Sequence, residues 1–68
     1  MNQNNDIAKN SILELVTEHG PIGWYPLELK LRVPRDQFRS GYNMMNYLDD
    51  LIADGSVKKT DDGKFDKA

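Results

Sequence analysis

The 68-residue sequence contains no cysteine. Disulfides, thiolate nucleophiles and cysteine-bearing zinc sites are therefore excluded. It contains a single histidine, His19, and no cluster spaced like a set of metal ligands. A nucleophile–base pair would have to join His19 to Ser11, Ser40 or Ser56 with no local signature to support it. There is no glycine-rich phosphate loop. The acidic neighbours Asp49–Asp50 and Asp61–Asp62 are adjacent in sequence, so on a helix or strand their side chains point different ways. The expectation is a protein that is not an enzyme, needs no metal or cofactor and takes no small-molecule ligand. Long apolar runs are also missing, whereas a membrane span needs roughly 18 consecutive apolar residues. Met1–Asp6 has neither the basic nor the apolar stretch of a secretory leader. A cytoplasmic protein without membrane contact is expected.

What is present fits one small domain. Hydrophobic residues make up 38%, enough for a modest core, and a chain of this length buries only about 60% of its unfolded surface. With no disulfide or metal to staple it, such a core relies on tight helix packing or on a partner subunit. The formal net charge is −2, which speaks against a general nucleic-acid binder, but the charge is unevenly placed. Between Lys30 and Arg39 stand Lys30, Arg32, Arg35 and Arg39 against Asp36, four minus one or +3; between Asp49 and Asp54 stand Asp49, Asp50 and Asp54, or −3.

Residues 1–5 are polar and asparagine-rich and read as a disordered tail; residues 6–68 read as one domain. Asp6 is placed to cap a helix. Ala8, Ile12, Leu15, Val16 and His19 recur at helical spacing and predict an amphipathic helix over Ile7–His19. Gly20 is the expected left-handed cap, followed by Pro21, which cannot continue the helix. His19 reads as a helix-end residue near the last carbonyls. Ile22 has room for a strand of one or two residues.

Residues 27–33 admit two readings. Leu27, Leu29, Leu31 and Val33 alternate with charged residues, a strand pattern. Yet residues 27–32 include no β-branched side chain and are good helix formers, and Pro26 suits a first helical turn. The composition favours a short helix from about Tyr25 to Leu31, ended by Val33–Pro34. If these residues form a strand, the fold is a different small α+β arrangement. Trp24 and Tyr25 read as core aromatics at the helix junction, or as a partner-binding surface.

Arg35–Ser40 is a basic turn with Asp36 as a possible local cap, and Ser40 is the candidate N-cap of a further helix. In that helix Tyr42 or Met44, Met45, Leu48, Leu51 and Ile52 form the apolar side, with the methionines as core filler; Arg39, Asn43, Asn46, Tyr47 and Asp50 form the polar side. Gly55 closes it. Val57–Asp66 reads as a hairpin turning on Asp62–Gly63, with Val57 and Phe65 as inward anchors.

The order helix, short strand, helix, basic turn, helix, hairpin resembles the winged helix-turn-helix DNA-binding superfamily. Gly20–Pro21–Ile22, Val33–Pro34–Arg35 and Leu48-x-x-Leu51-x-x-x-Gly55-x-Val57 carry the resemblance. It implies a mainly α (α+β) fold, three helices with a short C-terminal β-hairpin wing. The stretch from Val33 to Gly55 is several residues longer than is usual in that family, the excess falling at Asp36–Gly41. Either the turn is a loop, or the third helix starts early and Gly41 bends it.

The resemblance further implies a small protein of transcriptional control that places its third helix in the major groove of double-stranded DNA. Asn43 and Asn46 would then meet adenine, arginine would meet guanine, and Arg32, Arg35, Arg39, Ser40 and Tyr47 would hold bases or phosphates. Lys58, Lys59 and Lys64 would reach DNA from the wing. The same residues also suit a solvated polar face with surface ion pairs. So few neutralised phosphates would bind weakly and salt-dependently, which makes a homodimer or protein partner a natural complement. The alternative is a winged-helix protein-interaction module that does not bind DNA, suggested by the acidic balance and the stubby wing.

Overall fold

The computed structural model describes residues 6–68, so the expected tail at 1–5 lies outside the described residues. Three α-helices are followed by a two-stranded antiparallel hairpin: α1 (Ile7–His19), α2 (Trp24–Lys30), α3 (Met44–Ala53), β1 (Val57–Lys59) and β2 (Phe65–Lys67), with one 3-10 turn at Arg35–Gln37. No helix among the described residues is long and apolar enough to cross a membrane.

Helix α1 forms where the 3.6-residue period required it. Ala8, Ile12 and Val16, four apart, are wholly buried, with Leu13 and Leu15 packed beside them. His19 is exposed in the last turn, with Nε2 3.8 Å from Glu18 Oε1. Two expected caps take other roles. Asp6 occupies the N-cap position but makes no capping bond; its carboxylate turns to Arg39 instead, Oδ2 lying 3.5 Å from Nη2. Gly20 is extended, with φ −67° and ψ 151°, and not left-handed. Its role is close approach. A Cβ there would stand 2.5 Å from the Val16 carbonyl oxygen and 3.2 Å from Asp66 Cα.

Ile22 then bridges Phe65, the two residues exchanging N–H···O bonds of 2.8 Å each. The single-residue strand expected after α1 therefore exists, and it places β2 between Ile22 and β1. Residues 24–30 are helical, not a strand. Leu27 is wholly buried while Leu29 is 64% exposed, so the leucine alternation does not mark two faces of a sheet. Pro26 sits in the first turn, where its missing N–H breaks no intrahelical bond. Trp24 and Tyr25 do not plug the core: they are 40% and 64% exposed. With Leu27 facing in, the helical period turns Tyr25 and Leu29 outward together, and Trp24 at the first helical position is only partly covered.

The long connection to α3 is a loop, not an early helix. After the 3-10 turn, Gly41 lies in a turn closed by the Tyr42 N–H donating to Arg39 O at 2.8 Å. Ser40 belongs to that turn and does not cap α3. The N-cap is Asn43, whose side chain accepts from Asn46 N (3.1 Å) while Asn46 Oδ1 accepts from Asn43 N (2.9 Å). This reciprocal capping box uses asparagine where Ser/Thr and Glu/Gln are usual.

Met44, Tyr47, Leu48 and Leu51 form the buried side of α3. At its end the Gly55 N–H donates to Ile52 O and the Ser56 N–H to Leu51 O, a Schellman closure with Gly55 at φ +87°. The hairpin turn is longer than the two residues expected. Thr60 N–H donates to Lys64 O (2.7 Å) and Gly63 N–H to Thr60 O (3.0 Å). Only Gly63, at φ +84°, takes positive φ. A two-residue type I′ turn needs positive φ at both centres; Asp62 does not adopt it, so the chain takes a three-residue turn with a glycine bulge.

Val57, Phe65 and Ile22 from the strands close over Ala8, Ile12, Val16, Leu27, Leu48 and Leu51. No charged side chain is buried among the described residues. The junction at Gly20 should be intolerant of bulk. Gly20→Ala is expected to cost about 1–3 kcal/mol through overpacking, measured by urea or thermal unfolding. Gly23→Ala, whose Cβ would meet only the Pro26 ring, Cδ at 3.5 Å and Cγ at 3.9 Å, should cost clearly less; equal losses would show that the backbone approach at Gly20 is not limiting.

Candidate nucleic-acid interface

The loop between α2 and α3 carries the chemistry. Its sequence repeats an arginine followed three residues later by an aromatic, Arg35–Phe38 and then Arg39–Tyr42. In the fold each guanidinium lies over its own aromatic ring: Arg35 Cζ is 5.6 Å from the Phe38 centroid and Arg39 Cζ is 4.7 Å from that of Tyr42. Such cation–π placement holds a charged fork in position while its N–H groups stay open to an anion, and at Arg39 one such anion is already the Asp6 carboxylate, 3.5 Å from Nη2.

Tyr47 fixes the loop from beneath. It is wholly buried, and its phenolic oxygen accepts the Arg39 backbone N–H at 2.6 Å. Phe38 stands edge-on to the Tyr47 ring at 5.6 Å and 77°, and Tyr42 leans on it at 4.9 Å and 59°. Tyr47 was expected on the polar side as a DNA contact. That is corrected: four residues before Leu51 and three after Met44, it falls on the buried stripe of α3, and a buried phenol needs the partner that the loop supplies.

Arg35, Phe38, Arg39, Ser40, Tyr42 and Asn43 surround one open groove, and no carboxylate lines it. Four of the expected contact residues, Arg35, Arg39, Ser40 and Asn43, are thus gathered in one place. Arg32 is exposed but outside the groove, between α2 and the 3-10 turn. Lys58 and Lys59 are exposed on β1; Lys64 lies in the hairpin turn with Nζ 3.9 Å from Asp62 Oδ2. Asn46 is partly buried and committed to the cap of α3. Phe38 and Tyr42 are the site residues that reading for charge overlooks, although the twice-repeated Arg-x-x-aromatic spacing signals them.

The acidic stretch is partly engaged. Asp50 accepts from the Tyr42 hydroxyl at 2.9 Å, which also orients the ring under Arg39. Asp54 accepts the Ser56 N–H at 3.0 Å and pairs with Lys9 Nζ at 3.4 Å. Hydrogen bonds from Ser56, with Lys9 assisting, hold the Asp54 carboxyl below its ordinary value of 3.8. The Thr60 hydroxyl, with Lys64 assisting, does the same for Asp62. Asp49 remains exposed on α3. Among the described residues no three His, Cys, Asp or Glu side chains gather as a metal site.

Two outcomes are expected. Tyr47→Phe keeps the ring packing but removes the acceptor of the Arg39 N–H. It should destabilise the fold by about 1 kcal/mol and speed hydrogen exchange at the Arg39 amide, read by NMR; unchanged exchange there would mean that the phenol does not hold the loop. Asp54 and Asp62 bind protons less tightly folded than unfolded, so their contribution to stability is complete above about pH 4 and fades as pH falls through the lowered folded values. In a carboxyl NMR titration, Ser56→Ala should raise the Asp54 midpoint toward 3.8. No family model matches the chain, and neither a curated protein nor a solved structure matches it, so a functional reading rests on its own residues.

Proposed function

We propose that this domain binds double-stranded DNA as a winged helix-turn-helix protein and acts in transcriptional control, without catalytic activity of its own. The element order supports the reading, as does the single-residue bridge by which Ile22 pairs with Phe65 on the free edge of β2. The observation that carries it is the pair of aromatic-backed arginines, Arg35 and Arg39, in the loop that leads into α3, lining a groove whose walls include no carboxylate, with Asp6 reaching Arg39 from outside it. They lie next to the N-terminal end of the helix, the part that a helix-turn-helix protein presents to the major groove. The acidic residues come later in α3, and Lys58 and Lys59 offer positive charge on the wing.

A second reading has an observation of its own. Trp24, Tyr25 and Leu29 of α2 are 40%, 64% and 64% exposed, an apolar surface of the kind used in protein contacts. It favours a module that binds a protein partner.

An amide NMR titration with mixed-sequence duplex DNA, at low and then moderate salt, separates the two. Selective shifts at Arg35, Arg39, Ser40, Asn43, Lys58 and Lys59 that fade with salt are expected. A spectrum that does not move at low salt would rule out unaided DNA binding and leave the protein-partner reading.

A further inference from the structure

We propose that the loop Arg35–Asn43 is a phosphodiester clamp and that the domain grips duplex DNA through its backbone, with little regard to base sequence. The inference rests on the DNA-binding reading and says which chemistry carries it.

Base reading from α3 is largely spent. To pair bidentately with adenine, an asparagine must accept through Oδ1 and donate through Nδ2. The Oδ1 atoms of Asn43 and Asn46 are both held in the capping box, at 3.1 Å and 2.9 Å. Turning either amide toward a base would uncap the helix. Tyr47, the third candidate reader, is buried beneath the loop. The next exposed polar side chain along α3 is Asp49, a carboxylate that repels phosphate.

The loop offers the opposite. Arg35 and Arg39 are exposed, each guanidinium is backed by a ring, and Tyr42 is pinned in turn by its bond to Asp50. The planar fork of arginine matches two phosphate oxygens, and a stacked fork loses less freedom on binding than a free one. Ser40, on the same groove, adds a hydroxyl donor. Asp6, 3.5 Å from Arg39, is the internal anion that a phosphate would displace or share.

The test is fluorescence anisotropy with AT-rich, GC-rich and mixed duplexes over a range of salt. The protein should bind all three with affinities within a few fold. The double variant Arg35→Gln/Arg39→Gln should weaken all three alike and flatten the plot of log affinity against log salt by about 1.8, since each neutralised phosphate contributes about 0.9. Arg35→Lys/Arg39→Lys should keep the slope but lose affinity, because charge remains while the stacked fork does not. Both arginines are exposed, and circular dichroism checks that the variants stay folded. Wild-type binding that the glutamine variant leaves unchanged, but that Lys58→Gln/Lys59→Gln abolishes, overturns the clamp and keeps the DNA reading. A hundredfold preference for one duplex overturns the claim of sequence indifference. Binding to none of the duplexes at low salt overturns both the clamp and the DNA reading.

Discussion

The phenol of Tyr47 joins the two parts of this fold that matter most. Its ring belongs to the core, between Met44 and Leu51 on the buried side of α3. Its hydroxyl belongs to the loop, where it accepts the Arg39 backbone N–H. Phe38 and Tyr42 pack on its two sides, and the two arginines rest on those rings. A loop of more than ten residues would otherwise lose much conformational entropy on ordering. Here that cost is offset by one hydrogen bond and a cluster of aromatic contacts. The positions of the guanidinium groups follow from a core residue that never reaches solvent.

The same economy of polar groups runs through the rest of the domain. The core buries no charged side chain, as expected of a small chain that has little apolar contact to set against desolvation. Helix ends are closed locally, by the asparagine box at the start of α3 and by Gly55 at its end. Two carboxylates of the acidic stretch, Asp50 and Asp54, are drawn into hydrogen bonds with Tyr42 and Ser56 and an ion pair with Lys9, while Asp49 stays exposed. Arg32, Arg35 and Arg39 in the loop and Lys58 and Lys59 on β1 remain exposed. The groove's own lining, with Arg35 and Arg39 and no carboxylate, differs in sign from the chain as a whole.

The legible parts of the sequence were those whose signals are local. The periodicity of Ala8, Ile12 and Val16 fixes α1, and the breaks at Gly20–Pro21, Val33–Pro34 and Gly55 fix the order of the elements, because backbone stereochemistry acts over a few residues. Val57 and Phe65 could be named as inward anchors for the same reason. At residues 27–33, period-2 alternation and helical composition conflicted; residues 27–30 complete α2 and 31–33 follow as irregular chain, with Leu27 the buried side chain of the helix. The groove was half legible. Charge marked Arg35 and Arg39, and the repeated Arg-x-x-aromatic spacing was there to be read, but spacing alone cannot say that the rings lie under the cations.

Other assignments needed the folded chain. Asn43 and Asn46 look like base readers until the start of α3 is known; once it is, they cap each other. Tyr47 looks polar by its hydroxyl until the helical register turns it inward. Gly20 looks like a left-handed cap until β2 is seen against it. Trp24 and Tyr25 look like core aromatics until the fold leaves Tyr25 exposed and Trp24 only partly covered. The sequence by itself determined α1, the order of the breaks between elements, the inward anchors of the hairpin and the run of positive charge from Lys30 to Arg39, since these follow from stereochemistry and composition within a few residues. Only the tertiary structure decided which polar groups are free to act, because a side chain's hydrogen bonds and burial depend on residues distant in the chain.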